Sequence, residues 1–570
     1  MRASDLLKVR VGQIAIFTGP AVTLVITPNS NFDPINLIKL LVLSVASLGF
    51  LGLFVANFKF FYIRLGRPLI VLSGLFIFWL TLSFLFSDAH WEQQVWGVWG
   101  RSTGILTYIL LCLLMLAVAS VQLEETYSRL AYALVFVSLL EISYMAIQTL
   151  GKDPVGWSRK EAFGTLGNIN FSSAFIGIAM VALVALFFFG NISRLIKVLI
   201  LLLLLADFLI IFNTGSIQGP AIFLIGAVLV ITLKYWSKGL ILRIFTLSFI
   251  SLSSVAGVAG LLNRGPLASV LFQDTLLFRK DYWFAGWQMT IDSPLFGKGM
   301  DSYGDYYREF RGLEATVRTG PDRISNSAHN IYLDVSSGGG FPLIILYLML
   351  LGFGFTGAIR YLRSTPNFAW HFVAVSGAWI AYHVQALVSI NQIGVGIWGW
   401  ILTGALIGYG KIPTDTLAKI NLDDTKTKVK GKKVAGQETG FSYRKTRGEP
   451  LPARSLIAMI SGMAIGFLIA SPPFFADKNF KAAIQTRQIE KMESALNANG
   501  ISAFHYEHVI QSAALANLTE PARRVTTQLL EIYPRNYYGW RITYQLAQTE
   551  EEKNRAQIMM RRLDPFNSTP

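Results

Sequence analysis

Thirteen apolar runs, most of them close to twenty residues long, recur along this chain, at roughly 11–27, 36–56, 68–86, 104–120, 127–150, 168–190, 194–213, 218–233, 239–262, 341–362, 369–389, 391–410 and 453–472. A helix needs about 20 consecutive apolar residues to cross a bilayer. The runs therefore predict an all-α, polytopic membrane protein with about 12–13 transmembrane helices. With 53% of residues hydrophobic and only 15% charged, the composition suits a membrane protein better than a soluble one.

The formal net charge of +16 falls largely in short loops between apolar runs, as an orientation signal does. That distribution argues against nucleic acid as a partner. With the N-terminus in the cytoplasm, the inner loops carry Lys59, Arg64, Arg67, Arg194, Lys197, Lys234, Lys238, Arg243, Arg360 and Arg363. The outer loops are then nearly free of basic residues, apart from Arg101, Lys152, Arg159 and Lys160. This orientation puts 263–328 and the chain after 472 on the extracytoplasmic side. The basic start, Met1 to Arg10, leads into an apolar run with no small-residue cleavage site after it, so it reads as a retained first span. The single cysteine, Cys112, lies inside an apolar run. It allows no intramolecular disulfide and no cysteine-based metal site.

Four regions are expected. Residues 1–410 form a transmembrane domain containing the long loop 263–328. In that loop Asp281–Thr290 reads as an interfacial helix, ended by Asp292-Ser293-Pro294. Residues 411–452 are a basic cytoplasmic linker, 453–472 the last span, and 473–570 a small helical domain. In this tail a turn recurs after 31 residues, Tyr533-Pro534-Arg535-Asn536 and then Asp564-Pro565-Phe566-Asn567, as in tetratricopeptide-like helical hairpins.

His329-Asn330 enters an apolar run at the end of the long loop, with Asp334 five residues on. Polar groups at membrane depth are costly and usually face a cavity. A histidine is the natural general base near neutral pH; the plainer reading is a structural histidine with Asn330 capping the next helix. Asp334 is not on the same helical face as His329, but could orient it or cap the helix if the backbone is irregular at Gly338-Gly339-Gly340. The outer cations Arg101, Arg159, Lys160 and Arg279 suit a phosphate-bearing substrate, because guanidinium groups hold phosphate oxygens bidentately and stay charged.

Four local patterns resemble the O-antigen ligase and polymerase superfamily. They are Gly100-Arg101-Ser102-Thr103-Gly104; Gly164-Thr165-Leu166-Gly167-Asn168-Ile169-Asn170; Arg279 to Trp283 with Pro294-Leu295-Phe296-Gly297-Lys298-Gly299; and His329-Asn330-Ile331-Tyr332-Leu333. The resemblance implies a metal-independent, cofactor-free glycosyltransferase of the GT-C type in the bacterial inner membrane, with its active site on the extracytoplasmic face. Such enzymes move a glycan from undecaprenyl diphosphate to a hydroxyl on a lipid, glycan or protein acceptor. His329 would be the base. Arg279, with Arg159 or Lys160, would hold the diphosphate, with Arg101 near them; Asn330, Asp334, Asn168 and Asn170 would support the site. Members often carry Glu nine residues after the histidine, where this chain has Gly338. The rival class is a transporter or flippase of lipid-linked or other anionic solutes, which would spread polar groups through the membrane interior.

Overall fold

The computed structural model describes residues 3–157, 161–235, 239–261, 263–266, 268–271, 274–365, 368–412 and 450–567. Arg159 and Lys160 lie outside the described residues, as does nearly all of the expected 411–452 linker. Every regular element among the described residues is a helix. Each of the thirteen apolar runs falls on one, and eight are long and apolar enough to cross a membrane: Asn36–Ala56, Arg67–Leu85, Glu124–Thr149, Ile169–Phe189, Arg194–Asn213, Gln218–Tyr235, Ile331–Ser364 and Ala453–Gln485.

At the centre stand two shorter helices, Ile105–Val121 and Ile393–Tyr409. Both are buried nearly all round, as expected of helices without a polar face. They pack closely, and a Cβ added at Gly404 would come within 2.5 Å of the Met115 carbonyl oxygen. Small residues likewise seat Ala453–Gln485 against Asn36–Ala56. A Cβ at Gly462 would stand 2.1 Å from the Leu48 carbonyl oxygen, and Ser44 Oγ donates to the Gly466 carbonyl at 2.9 Å. Between apolar helices in lipid, such close approach takes the place of a hydrophobic drive.

The last span does not end at 472. Its helix runs through Pro472 and Pro473 to Gln485 and carries the chain directly into the tail. Five further helices follow: Ile489–Ala495, Ala503–Leu515, Thr519–Ile532, Tyr537–Gln545 and Glu550–Leu563. They form hairpins around Val509, Ile510, Val525 and Leu529, all fully buried. Asn536, in the first copy of the repeated turn, caps the next helix by accepting from Gly539 N at 2.8 Å.

The tail docks on the loop end of the bundle. The buried Asp477 carboxylate accepts from Phe32 N at 2.6 Å, Asp33 N at 2.9 Å and Trp99 Nε1 at 3.0 Å, and meets His505 Nε2 at 3.1 Å. Trp99 stacks on Phe504 with ring centres 3.9 Å apart. Further along, Asp564 sits fully buried between Arg308 at 2.9 Å and Arg311 at 2.7 Å.

Candidate active site

The helix Ile331–Ser364 has a break at its start. Gly340 adopts φ +74°, and Pro342 follows with no N–H to give. The Phe341 N–H turns away to the Pro294 carbonyl, at 2.8 Å. The carbonyls of Ser337 and Gly338 thus lose their usual donors four residues on. Lys298 N and Gly299 N replace them, at 2.7 and 3.0 Å, and Ser83 Oγ adds a bond to Gly338 at 2.9 Å. This pairing requires Gly297, in the left-handed region at φ +67°, where a Cβ would lie 2.4 Å from the Gly338 carbonyl carbon. The Pro294–Gly299 stretch therefore fits the break in the 331–364 helix. Gly338 has little room for a side chain, since its Cβ would meet Met300 Sδ at 2.9 Å.

Just before the helix begins, the chain holds His329 in the left-handed region, at φ +51°, a strained setting for a residue other than glycine. Three groups brace it. Asn330 caps the helix, its side chain accepting from Tyr332 N at 3.0 Å and Leu333 N at 3.2 Å. Asp334 accepts from Ala328 N at 2.8 Å and Ser327 Oγ at 2.7 Å. Ser327 Oγ in turn accepts from His329 N at 3.1 Å. Asp334 thus positions the backbone that carries the imidazole, through Ser327.

The helix Asp274–Asp292 brings Arg279 to the same place and extends beyond the expected Asp281–Thr290 at both ends. It packs through Tyr282, Ala285 and Met289 against Tyr303, Tyr306, Tyr307 and Ala328. Tyr282 lies on the His329 ring, with centres 5.2 Å apart and planes 27° apart. Burial, helped by the positive charges of Arg279 and Arg101, pushes the His329 imidazole down to about 4. The imidazole is therefore neutral at physiological pH, and both guanidinium groups are near enough to act on it.

Arg101 acts from within the protein. It is buried, pairs with Asp301 at 3.0 Å and donates to the Asn326 carbonyl. The other Asp301 oxygen accepts from Val98 N at 2.9 Å and Thr103 Oγ1 at 3.1 Å. The cavity bounded by Arg101, Asp301 and Asp334 measures about 10 Å³, room for about one water. Asp305 accepts from Gln93 at 2.7 Å. Among the described residues no group of three His, Cys, Asp or Glu side chains could hold a metal ion.

Asn168 and Asn170 serve another part of the fold. Asn168 caps Ile169–Phe189 by accepting from Asn170 N at 2.8 Å, and Asn170 Oδ1 accepts from Ser216 Oγ at 2.8 Å. The loop before them is held by Glu141, and the end of the first helix by Lys39, two buried ionisable residues that the sequence reading passed over. Glu141 accepts from Thr165 N at 3.0 Å and from Thr165 Oγ1. Lys39 donates to the carbonyls of Val22 at 3.0 Å, Val25 at 3.1 Å and Thr23. Both are 0% exposed. Their signal was in plain sight, as ionisable residues inside apolar spans.

Replacing Asp334 with Ala leaves the Ala328 and Ser327 donors without their acceptor. Each buried unsatisfied group costs about 1–3 kcal/mol. The expected result is a lower thermal midpoint in nanodiscs, largely restored by Asp334→Asn, which keeps one acceptor oxygen. No model of a known protein family matches this chain, and no curated protein matches it.

Proposed function

We propose that this is a membrane glycosyltransferase that moves a glycan from an undecaprenyl diphosphate carrier to an acceptor hydroxyl. The observation that carries the reading is a neutral, half-buried imidazole at His329, held in a strained conformation and within reach of the charges of Arg279 and Arg101. The acceptor oxygen attacks the anomeric carbon and gives its proton to His329. The bond from that carbon to the diphosphate oxygen breaks, and its electron pair leaves on undecaprenyl diphosphate. Arg279 neutralises the leaving group, with Arg159 or Lys160 and the field of Arg101 assisting. The acceptor is a lipid, a glycan or a protein.

The finer topology belongs to the same proposal. The remaining apolar helices complete 12–13 spans in a bacterial inner membrane, and the His329 face, with the tail, is extracytoplasmic.

Two ionisable groups inside the bundle, of the kind a transporter uses, are engaged: three carbonyls hold Lys39, and Thr165 holds Glu141. For these two groups, that engagement is what a transferase rather than a path for solute requires. Proteoliposomes loaded with a labelled lipid-linked glycan separate the two. A new glycosidic bond in the acceptor is expected; counterflow of label with no such bond contradicts the reading.

Arg279→Ala is expected to lower the transfer rate by about 10²-fold, as removal of one preorganised charge-stabilising donor does. Arg279→Lys should recover only part of the rate, since an ammonium lacks the guanidinium fork. Losing the cation also relieves repulsion on His329, so the acid limb of activity should move to higher pH in Arg279→Ala. Rate against pH for the two enzymes checks both points.

A further inference from the structure

A cleft of about 570 Å³ opens between the tail and the segment that leads to His329, within the range of about 300–1,000 Å³ usual for small-ligand sites. We propose that it binds an uncharged oligosaccharide. The inference rests on the reading above for the kind of ligand this face handles.

The walls combine two kinds of surface. Phe504, Tyr538 and Ile324 offer apolar faces, with Phe504 36% and Ile324 57% exposed; the Tyr537 ring is buried, with Arg308 over its face. Asn326 offers an exposed planar amide, which donates and accepts at once, while the Asn536 amide and the Gln93 NH2 are already bonded within the protein. A sugar ring presents the complement, with C–H faces for the rings and rows of hydroxyls for the amide.

Charge narrows the class. Three guanidinium groups, Arg308, Arg535 and Arg541, line the cleft together with three carboxylates, Asp305, Asp322 and Glu507. Each is already engaged. Arg308 pairs with Asp564 at 2.9 Å, Arg541 with Asp322 at 3.1 Å, and Arg535 with Glu309. Glu507 accepts from Asn536 at 2.6 Å and Asp305 from Gln93 at 2.7 Å. With each guanidinium already neutralised by a carboxylate, an acidic saccharide would meet Asp305, Asp322 and Glu507 without an uncompensated cation to hold it; a neutral one meets no such repulsion.

The cleft also leads to the candidate base. Asn326 lines it, and its carbonyl accepts from Arg101. From Asn326 to His329 is three residues, at most about 11 Å of extended chain. A glycan seated here would run toward the imidazole.

The test uses the full-length protein in nanodiscs, with saturation-transfer NMR and titration calorimetry. The probes are carrier-free tetrasaccharides of hexose and N-acetylhexosamine, and matched tetrasaccharides containing uronic acid. Neutral probes are expected to bind. Tyr538→Ala removes a wall, and Ile324→Trp fills the cleft from an exposed position without disturbing buried packing. Each should weaken binding tenfold or more, Ile324→Trp with an unchanged thermal midpoint. His329→Gln should bind as the wild type does while losing transfer. The proposal is overturned if no neutral probe binds, if both cleft variants bind like the wild type, or if acidic probes bind equally well. Saccharide binding in a wild type that forms no glycosidic bond would instead sink the transferase reading alone.

Discussion

His329→Gln should transfer glycan about 10²–10⁴-fold more slowly than the wild type, the usual loss for a positioned general base, with little change in KM. Glutamine is close to the imidazole in size and can hydrogen-bond, but it cannot take up the acceptor's proton. The pH dependence gives a second check on the same residue. With the imidazole pushed down to about 4, its neutral form persists through the neutral range, and activity is lost as pH falls through that value. Of the guanidinium charges that help to depress it, that of Arg279 is the one expected to meet the diphosphate. An anion bound there offsets their repulsion, so the imidazole becomes a stronger base when donor is present. The acid limb of kcat, which reports the complex, should lie at higher pH than that of kcat/KM, which reports the free enzyme. A histidine with only a structural part to play would not produce that separation.

The second large effect is expected at Asp564, some distance from the proposed chemistry. Its carboxylate is fully buried, as is the Arg311 side chain. Arg311 also donates to the carbonyls of Pro321 and Arg323, both at 3.2 Å. Asp564→Ala leaves two guanidinium groups facing each other without their shared anion. Removing one partner of a buried pair costs about 3–5 kcal/mol, or roughly a hundredfold or more in the docking equilibrium. Hydrogen exchange should show the Glu550–Leu563 helix losing protection while Ile105–Val121 keeps it. Asp564→Asn retains an acceptor and should lose less. Equal protection in Asp564→Ala and wild type would mean that the tail is held elsewhere, for instance at Asp477.

Much of this arrangement could be read from the chain. The spans were legible because a bilayer imposes length and apolarity on each helix by itself, with no long-range information needed. His329 and Asn330 stood out for a related reason, as polar groups at the edge of an apolar run. Pairing across the chain was not legible. Arg101 looked like an outer cation free to meet substrate, and its partner Asp301 is distant in sequence. The Asp301 and Asp305 carboxylates are likewise held by residues distant in sequence, Arg101, Thr103 and Gln93. The last span is expected to end at 472, yet its helix continues through Pro472 and Pro473 to Gln485. Lys39 and Glu141 were legible as ionisable residues inside apolar spans, whose cost in such surroundings marks them; what each holds was not.

The most direct test follows both products of a single reaction. Purified wild type and His329→Gln in nanodiscs are given undecaprenyl diphosphate glycan and acceptor, and released undecaprenyl diphosphate and glycosylated acceptor are quantified together by mass spectrometry. The account expects the two products in equal amounts from the wild type and almost none of either from the variant. Equal yields from both proteins, or carrier consumed with no glycoside formed, would contradict it.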